Sequence, residues 1–227
     1  MQKKLLFLPG LVACLALSAL PVSAQLNQPE GTAPTGPRAH IIQNQDRIVF
    51  VGDSITGQGA KAGPGGWIAM LGEGLRLERP DANPTLVALG GSGSTIGAWL
   101  GFEKKSRTAS LTLDVKENDV GKTLDAGADV VIVMLGMNDV LAPSLKNNPA
   151  DFDAWALHYG ELIQALRARS HPRVLALATV TPCTEEPASP KNQVLAELNT
   201  RIARLAKEQD ILAVSYTHLT LPTIYSV

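Results

Sequence analysis

Val49-Phe50-Val51-Gly52-Asp53-Ser54-Ile55-Thr56-Gly57 is the stretch from which the fold can be worked out. Its first residues are apolar without interruption, which is typical of a parallel strand covered on both faces. The apolar run stops at Gly52, and an acid, a serine and another glycine follow at once. A buried strand that ends on Gly-Asp-Ser places a hydroxyl just past its carboxyl end, where open parallel sheets usually bind their ligands.

Similar apolar runs recur along the chain and predict further buried strands. The run from Val130 to Leu135 is the most apolar, so it is expected to be central in the sheet. Residues 111–115 alternate apolar and polar side chains, which indicates a half-buried strand or hairpin arm, and no chemistry is assigned to residues 101–127. The expected strands are Arg47–Val51, Thr85–Leu89, Val130–Leu135, Val174–Val180 and Ile211–Val214.

Helical patterns separate these strands. Trp67, Leu71 and Leu75 recur every fourth residue and predict a helix with one buried stripe. A longer amphipathic pattern follows over residues 152–166, and Ser189-Pro190 is typical of a third helix start, with serine as cap. Strands that alternate with helices indicate an α/β domain with a parallel sheet.

Size and charge limit the classes of function. A chain of 227 residues is long enough for one domain with a sizeable core. Lys+Arg is 20 and Asp+Glu is 21, for a formal net charge of -1. Such a balance argues against a nucleic-acid partner, which usually requires a basic surface.

The first two dozen residues predict a signal peptide, residues 1–24, and hence a secreted or periplasmic protein. They have a charged start, a short apolar run and a small-x-small ending, at Lys3-Lys4, Leu5–Leu20 and Val22-Ser23-Ala24. The alternatives are a lipoprotein signal at Cys14 and an uncleaved membrane anchor, for which the apolar run is short. After cleavage no stable membrane span is expected.

Residues 25–46 are rich in Gly, Pro, Thr, Asn and Gln, a composition that suits a flexible leader. After signal cleavage Cys183 is the single cysteine, so it cannot close an intramolecular disulfide. We interpret it as a small buried or loop residue rather than a catalytic thiol.

Two later segments match the needs of a serine nucleophile, because attack on an ester creates an oxyanion that requires donors. The first is Leu89-Gly90-Gly91-Ser92-Gly93-Ser94-Thr95, and the second is Leu135-Gly136-Met137-Asn138-Asp139. Each follows an apolar strand. Together with Gly-Asp-Ser they resemble, in order, blocks I, II and III of the SGNH (GDSL) hydrolases, over roughly Arg47 to Val214.

The resemblance implies a three-layer α/β/α sandwich with a mainly parallel central sheet, of the SGNH or flavodoxin-like type. It makes Ser54 the nucleophile, and the Gly93 backbone N–H, the Asn138 side-chain amide and the Ser54 N–H the oxyanion donors. Asp53 and Asp139 would be supporting residues. One departure is Ala88, which stands where the family pattern often has Asn. The implied enzyme is a GDSL-like esterase or acylhydrolase with no cofactor and no metal.

Other interpretations of these motifs stay open. Gly91-x-Gly93-x-x-x-Gly97 after a strand looks like a variant dinucleotide loop, with Asp114 near the place of a ribose-binding acid. Glycines in a turn for geometry alone, and an ordinary Asn-Asp turn after a strand, are the simpler explanations. The alternative function is therefore a non-catalytic α/β module that binds a glycan or a nucleotide.

The catalytic base is missing from the pattern. The family carries acid and base together as Asp-x-x-His near the carboxyl terminus, and no such motif occurs here. Three histidines fall in unsuitable places: one in the leader, one in a helix and one in a loop before a strand, at His40, His158 and His171. His218 is the remaining candidate, but Ser215 stands where the family has its Asp.

Residues 215–227 contain no charged side chain except that of His218 if it is protonated, and they resemble translated sequencing-adapter read-through. We therefore expect a non-native tail after an SGNH domain, residues 47–214, that is incomplete at its carboxyl end; the alternative is a genuine but divergent carboxyl terminus. The expected function is a serine ester hydrolase acting on an O-acetylated carbohydrate or another small ester. The chain itself is expected to be nearly inactive.

Overall fold

Five parallel strands form the centre of the computed structural model, in the order β2-β1-β3-β4-β5. The structure describes residues 41–61, 66–142 and 145–215. Gly52 of β1 pairs with Gly90 of β2 on one side and with Met134 of β3 on the other, so these three strands end at the same level. The prediction of a parallel sheet with the Val130 strand in the middle is confirmed. The strands are β1 Arg47–Asp53, β2 Thr85–Gly91, β3 Val130–Met134, β4 Val174–Ala178 and β5 Leu212–Val214.

Helices connect the strands. Ser189 caps α7 by accepting a hydrogen bond from the Asn192 N–H at 3.3 Å, as its sequence predicts. Asn148 caps α6 in the same way, through the Asp151 N–H at 3.0 Å. The helices are α1 Ser54–Gly59, α2 Trp67–Glu78, α3 Ile96–Lys105, α4 Val120–Asp125, α5 Met137–Leu141, α6 Pro149–Ser170 and α7 Pro190–Glu208.

The core lies on both faces of the sheet, because neighbouring strand residues point to opposite sides. Val49 and Val51 of β1 face a large cluster contributed by α3, α4, α6 and α7. Ile48 and Phe50 face a smaller cluster that includes Ile68 of α2. This arrangement is the predicted three-layer α/β/α sandwich.

Two local predictions differ from the structure. In α2 the predicted stripe is correct only in part: Trp67 packs against Phe50 with ring centroids 5.4 Å apart, whereas Leu71 is 37% exposed and Ile68, outside the stripe, is buried at 3% exposure. Residues 111–115 form no strand: the only pairing there is an isolated bridge between Thr112 and Asp119. The short helix α4 directly after it has no counterpart in the sequence prediction.

Several sequence predictions lie outside the described residues, including the signal peptide, most of the leader with His40, and residues 216–227 with His218. Within the leader's last residues, Asp46 is buried and accepts hydrogen bonds from the Gln43 N–H and from Arg173. In the part of the chain that is described, no helix combines the length and apolar character needed to cross a membrane.

Candidate active site

Ser54 lies at the junction of β1 and α1, as its first helical residue. Its side chain is partly exposed, while Asp53 before it is buried. The Asp53 carboxylate caps the helix by accepting a hydrogen bond from the Ile55 N–H at 2.9 Å. Because the first N–H groups of a helix have no partner within it, this cap leaves the Ser54 N–H for another acceptor. The junction can therefore offer a hydroxyl and a backbone donor side by side.

Close backbone approach sets the position of α1 against the sheet. A Cβ on Gly90 would lie 2.2 Å from the Gly57 backbone N and 2.8 Å from the Asp53 carbonyl oxygen. On the buried side, the Trp99 indole N–H donates to the Gly52 carbonyl at 2.8 Å. The end of β1 is thus held between β2 and α3, which fixes where Ser54 stands.

Gly93 belongs to a four-residue turn after β2. The Ser94 N–H donates to the Gly91 carbonyl at 3.1 Å, and Gly93, at the third position, has φ +70°. That backbone conformation favours glycine, and no atom lies within 4 Å of the place where a Cβ would stand. The turn uses the N–H of Ser94 and not that of Gly93. The space beside the Gly93 Cα is therefore open.

Asn138 joins the three loops that follow β1, β2 and β3. Its side-chain amide donates to the Ser94 carbonyl at 3.1 Å and to Asp53 Oδ2 at 3.3 Å. The bond to Asp53 is at the long end of the hydrogen-bond range, so it is the weaker of the two. The amide nitrogen is therefore held next to Asp53 by contacts to both neighbouring loops.

Two buried carboxyl groups, Asp53 and Asp139, belong to these loops. Asp139 accepts from the Ile96 N–H at 3.3 Å, which ties the loop after β3 to the start of α3. Burial raises the pKa of Asp139 to about 6, and the hydrogen bond from Ile96 opposes that rise. Burial also raises the pKa of Asp53, and the charge of Asp114 adds to the effect. Both shifts follow from the burial of these two carboxyl groups, and hydrogen bonds to buried groups are stronger than in water.

The structure brings together all five residues singled out as nucleophile, donors and supports, at the carboxyl ends of β1, β2 and β3. Their catalytic roles stay predictions. The two described histidines lie elsewhere. His158 is exposed on α6, and His171 is the carboxyl cap of that helix, just before the amino end of β4. Neither can reach Ser54.

From the sequence, Asp114 is named only as a possible ribose-binding acid of a nucleotide loop, and no part in a hydrolase site is predicted for it. Its Oδ2 accepts a hydrogen bond from Ser92 Oγ at 2.7 Å, across 22 residues of chain. The only signal for Asp114 in the sequence is that it is a polar residue in the alternating run of residues 111–115.

Cys183 is a partly buried loop residue after β4, and its N–H donates to Asn192 Oδ1 at 2.9 Å. Residues 41–61, 66–142 and 145–215 contain no group of three or more His, Cys, Asp or Glu side chains placed to hold a metal ion.

Solved structures with this fold are numerous. Axe2, an acetylxylan esterase from Geobacillus stearothermophilus, superposes with a TM-score of 0.58 at 21% identity, covering 81% of this chain and 83% of that one. The acetyl xylan esterase AlAXEase gives 0.60 at 21% identity, with coverage of 78% and 80%. LAE5, an alpha/beta hydrolase enzyme from the metagenome of Lake Arreo, Spain, gives 0.57 at 18% identity, with the same coverage. At these identities the likeness shows the fold alone.

A search of curated proteins finds no match. The family model of the GDSL-like lipase/acylhydrolases matches residues 50–224, a range that begins in β1 and includes every residue of the site described above. The loop from Gly91 to Gly97 lies within the matched range, which favours the hydrolase interpretation over the dinucleotide loop. The chain belongs to the GDSL-like lipase/acylhydrolase family and is a carboxylic ester hydrolase.

Proposed function

We propose that the protein hydrolyses O-acetyl esters of carbohydrates through an acyl-serine intermediate on Ser54. The backbone N–H groups of Ser54 and Gly93 and the side-chain amide of Asn138 stabilise the oxyanion. We expect little turnover from the chain, because neither histidine of the described residues, His158 on α6 or His171 at its end, lies in the loops around Ser54.

The observation that carries the proposal is the set of contacts made by Asn138. Its amide is hydrogen-bonded to Asp53, the residue before Ser54, and to Ser94, the residue after Gly93. One side chain thus links the nucleophile loop to the loop of the second donor. Donors held in advance around the place where negative charge develops are usually the largest contribution to acyl-transfer catalysis.

The reaction has two steps, acylation of Ser54 and hydrolysis of the acetyl-serine. The Ser54 oxygen forms a bond to the ester carbonyl carbon while a base takes its proton, and the carbonyl oxygen becomes the oxyanion. The oxyanion then re-forms the carbonyl as the carbon–oxygen bond to the sugar breaks, and the base passes its proton to the leaving sugar oxygen. Water attacks the acetyl-serine in the same manner and releases acetate.

For the amide of Asn138 to reach the oxyanion, one of its present bonds must give way or be shared. The 3.3 Å bond to Asp53 is the weaker, so it is the one that we expect to yield. The buried Asp53 then keeps its cap on Ile55, which holds the start of α1 in place.

The base is the part that limits turnover. His158 and His171 are remote from Ser54, and His218 lies outside the described residues. Serine hydrolases that lose a triad member retain only about 10³–10⁴-fold over water, from the oxyanion hole and binding. We propose the same residual level for this chain.

The acetylated-carbohydrate substrate is supported by two structural neighbours, which are an acetylxylan esterase and an acetyl xylan esterase by name. It is also compatible with the local geometry, because Ser54 is partly exposed and Gly93 is exposed. An exposed site suits an acetyl group carried on a bulky glycan.

Chemical rescue tests the proposal. Acetate release from acetylated xylo-oligosaccharides is measured for the 227-residue chain, for Ser54→Ala and for His218→Gln, with and without added imidazole. Imidazole can enter as an external base, so it should raise the slow release several-fold in the unmodified chain and in His218→Gln. Ser54→Ala should show no rise above the solution reaction with imidazole.

Equal release from Ser54→Ala and the unmodified chain, with imidazole present, would refute the nucleophile. Fast release without imidazole that disappears in His218→Gln would refute the low turnover and make His218 the base.

A further inference from the structure

Residues 111–119, here called the edge segment, lie along the free side of β2. The Asp114 N–H donates to the Gly90 carbonyl at 2.9 Å, and the Asn118 side-chain amide donates to the Ala88 carbonyl at 3.0 Å. The segment closes on itself through the Val120 N–H, which donates to the Leu111 carbonyl at 2.7 Å. The edge segment is therefore hydrogen-bonded to β2, the strand that leads into the Gly93 turn.

Asp114 reaches from this segment to the turn. Its Oδ2 accepts the hydrogen bond from Ser92 Oγ at 2.7 Å, and Ser92 is the second residue of the turn, directly before Gly93. The peptide group between Ser92 and Gly93 is the one that carries the Gly93 N–H. Fixing the Ser92 side chain therefore restrains the direction of that N–H.

The same side chain also lies against the helix of the nucleophile. A Cβ on Gly57 of α1 would stand 2.9 Å from both the Cβ and Oδ2 of Asp114. Asp114 thus contacts α1, is bonded to the end of β2, and holds the turn between them.

We propose that Asp114 is a positioning residue of the hydrolase, which sets the Gly93 N–H relative to Ser54 through the hydroxyl of Ser92. This proposal rests on the proposed function, in which Gly93 is an oxyanion donor. Asp114 does not touch the reacting atoms. Its negative charge near a developing oxyanion is unfavourable, so its benefit comes from the hydrogen bond and the contact with α1.

The role makes a distinctive prediction for four variants. Asp114→Asn keeps an acceptor for Ser92 at the same place and should retain activity within about threefold, since a neutral acceptor still holds the hydroxyl. Asp114→Ala and Ser92→Ala each release the turn and should lower kcat about tenfold, less than the loss of a whole oxyanion donor. KM should change less than twofold, because the donor acts on the transition state.

The matched control is Glu117→Gln, which removes the same charge from an exposed position of the edge segment. Imidazole-rescued acetate release is measured for each variant and for the double variant Asp114→Ala/Ser92→Ala. If the two side chains act as one unit, the double variant is no slower than either single one. A tenfold loss in each that multiplies in the double variant, or an Asp114→Ala variant as active as Glu117→Gln, would overturn the proposal.

A second measurement is independent of turnover. In protein labelled with ¹⁵N-glycine, the Gly93 amide should exchange with solvent faster and show larger-amplitude motion in Asp114→Ala and Ser92→Ala than in Asp114→Asn and Glu117→Gln. If no preparation shows Ser54-dependent turnover, the proposed function fails, and the Gly93 amide alone decides whether Asp114 holds the turn. An unchanged Gly93 amide in Asp114→Ala overturns that role as well.

Discussion

Gly90→Ala is expected to displace the helix that carries Ser54. The added methyl carbon would lie 2.2 Å from the Gly57 N and 2.4 Å from the Gly57 Cα, and 2.8 Å from the Asp53 carbonyl oxygen. Ordinary contacts of this kind are about 3.5 Å, so the backbone of α1 must move away from β2 by about 1 Å. All three atoms are backbone atoms, and no side-chain rotation can make room.

The cost can be estimated from this geometry. Overpacking of a well-packed interior usually costs about 1–3 kcal/mol, and an obstacle made of backbone belongs at the upper end of that range. We therefore expect Gly90→Ala to lower the free energy of unfolding by about 3 kcal/mol. A shift of about 1 Å at Ser54 should also lower Ser54-dependent, imidazole-rescued turnover by about 100-fold.

Urea unfolding followed by circular dichroism measures the first effect, with Gly74→Ala as the matched control. Gly74 lies in α2 with no atom within 4 Å of its missing Cβ, so alanine there should stabilise the protein by about 0.5–1 kcal/mol. A Gly90→Ala variant as stable as the unmodified protein, with normal turnover, would refute the argument that this contact fixes α1.

Three further changes test the buried polar groups. Because burial raises the pKa of Asp139 to about 6, the folded protein holds a proton that the unfolded chain has already lost, and this carboxyl lowers stability as the pH rises from 4 to 7. The free energy of unfolding of Asp139→Asn, relative to that of the unmodified protein, should therefore rise by about 3 kcal/mol from pH 4 to pH 7. The same pH dependence of the unfolding free energy in both proteins, measured with urea, would contradict this. Arg169→Leu removes a buried guanidinium that binds two carboxylates and should cost about 3 kcal/mol, whereas Arg204→Leu, which breaks an exposed pair, should change the unfolding free energy by less than about 0.5 kcal/mol. Asn199→Ala deprives the Val180 N–H and carbonyl of their side-chain partner and should cost about 2 kcal/mol, measured as a lower urea midpoint with an unchanged slope.

The sheet could be predicted because its signal is local. Residues that are buried on both faces are apolar without interruption, and Val49–Val51 and Val130–Met134 have this character within a few residues of chain. Parallel topology then places the ends of β1, β2 and β3 at one edge, so the residues that follow them meet there. The grouping of Ser54, Gly93 and Asn138 follows from this rule.

The side of a helix that packs inward could not be predicted as well. The first turns of α2 carry apolar residues on more than one face, including Ile68 and Leu71. Which of these faces packs inward depends on how the helix lies on the sheet, and the sequence does not give that orientation. The helix α4 has six residues, too few for a periodic pattern to stand out. Asp119 caps this helix by accepting a hydrogen bond from the Lys122 N–H, but an aspartate alone does not predict a helix start in the sequence.

The partners of the site residues depend on several loops at once. Asn138 donates to Ser94 and Asp53, which are 44 and 85 residues away, and their positions depend on the register of three strands. No local pattern encodes such contacts. The same holds for the bond between Asp114 and Ser92.

The edge segment has a consequence for the protein at high concentration. β2 is the outer strand of the sheet, and unpaired groups on an outer strand are a template for strand addition by another molecule. The Ala88 and Gly90 carbonyls, which would receive such a strand, are occupied by Asn118 and by the Asp114 N–H. The segment therefore blocks edge-to-edge pairing of β2 with a strand of another molecule. Variants that detach the segment should assemble into β-rich oligomers under conditions in which they are still folded.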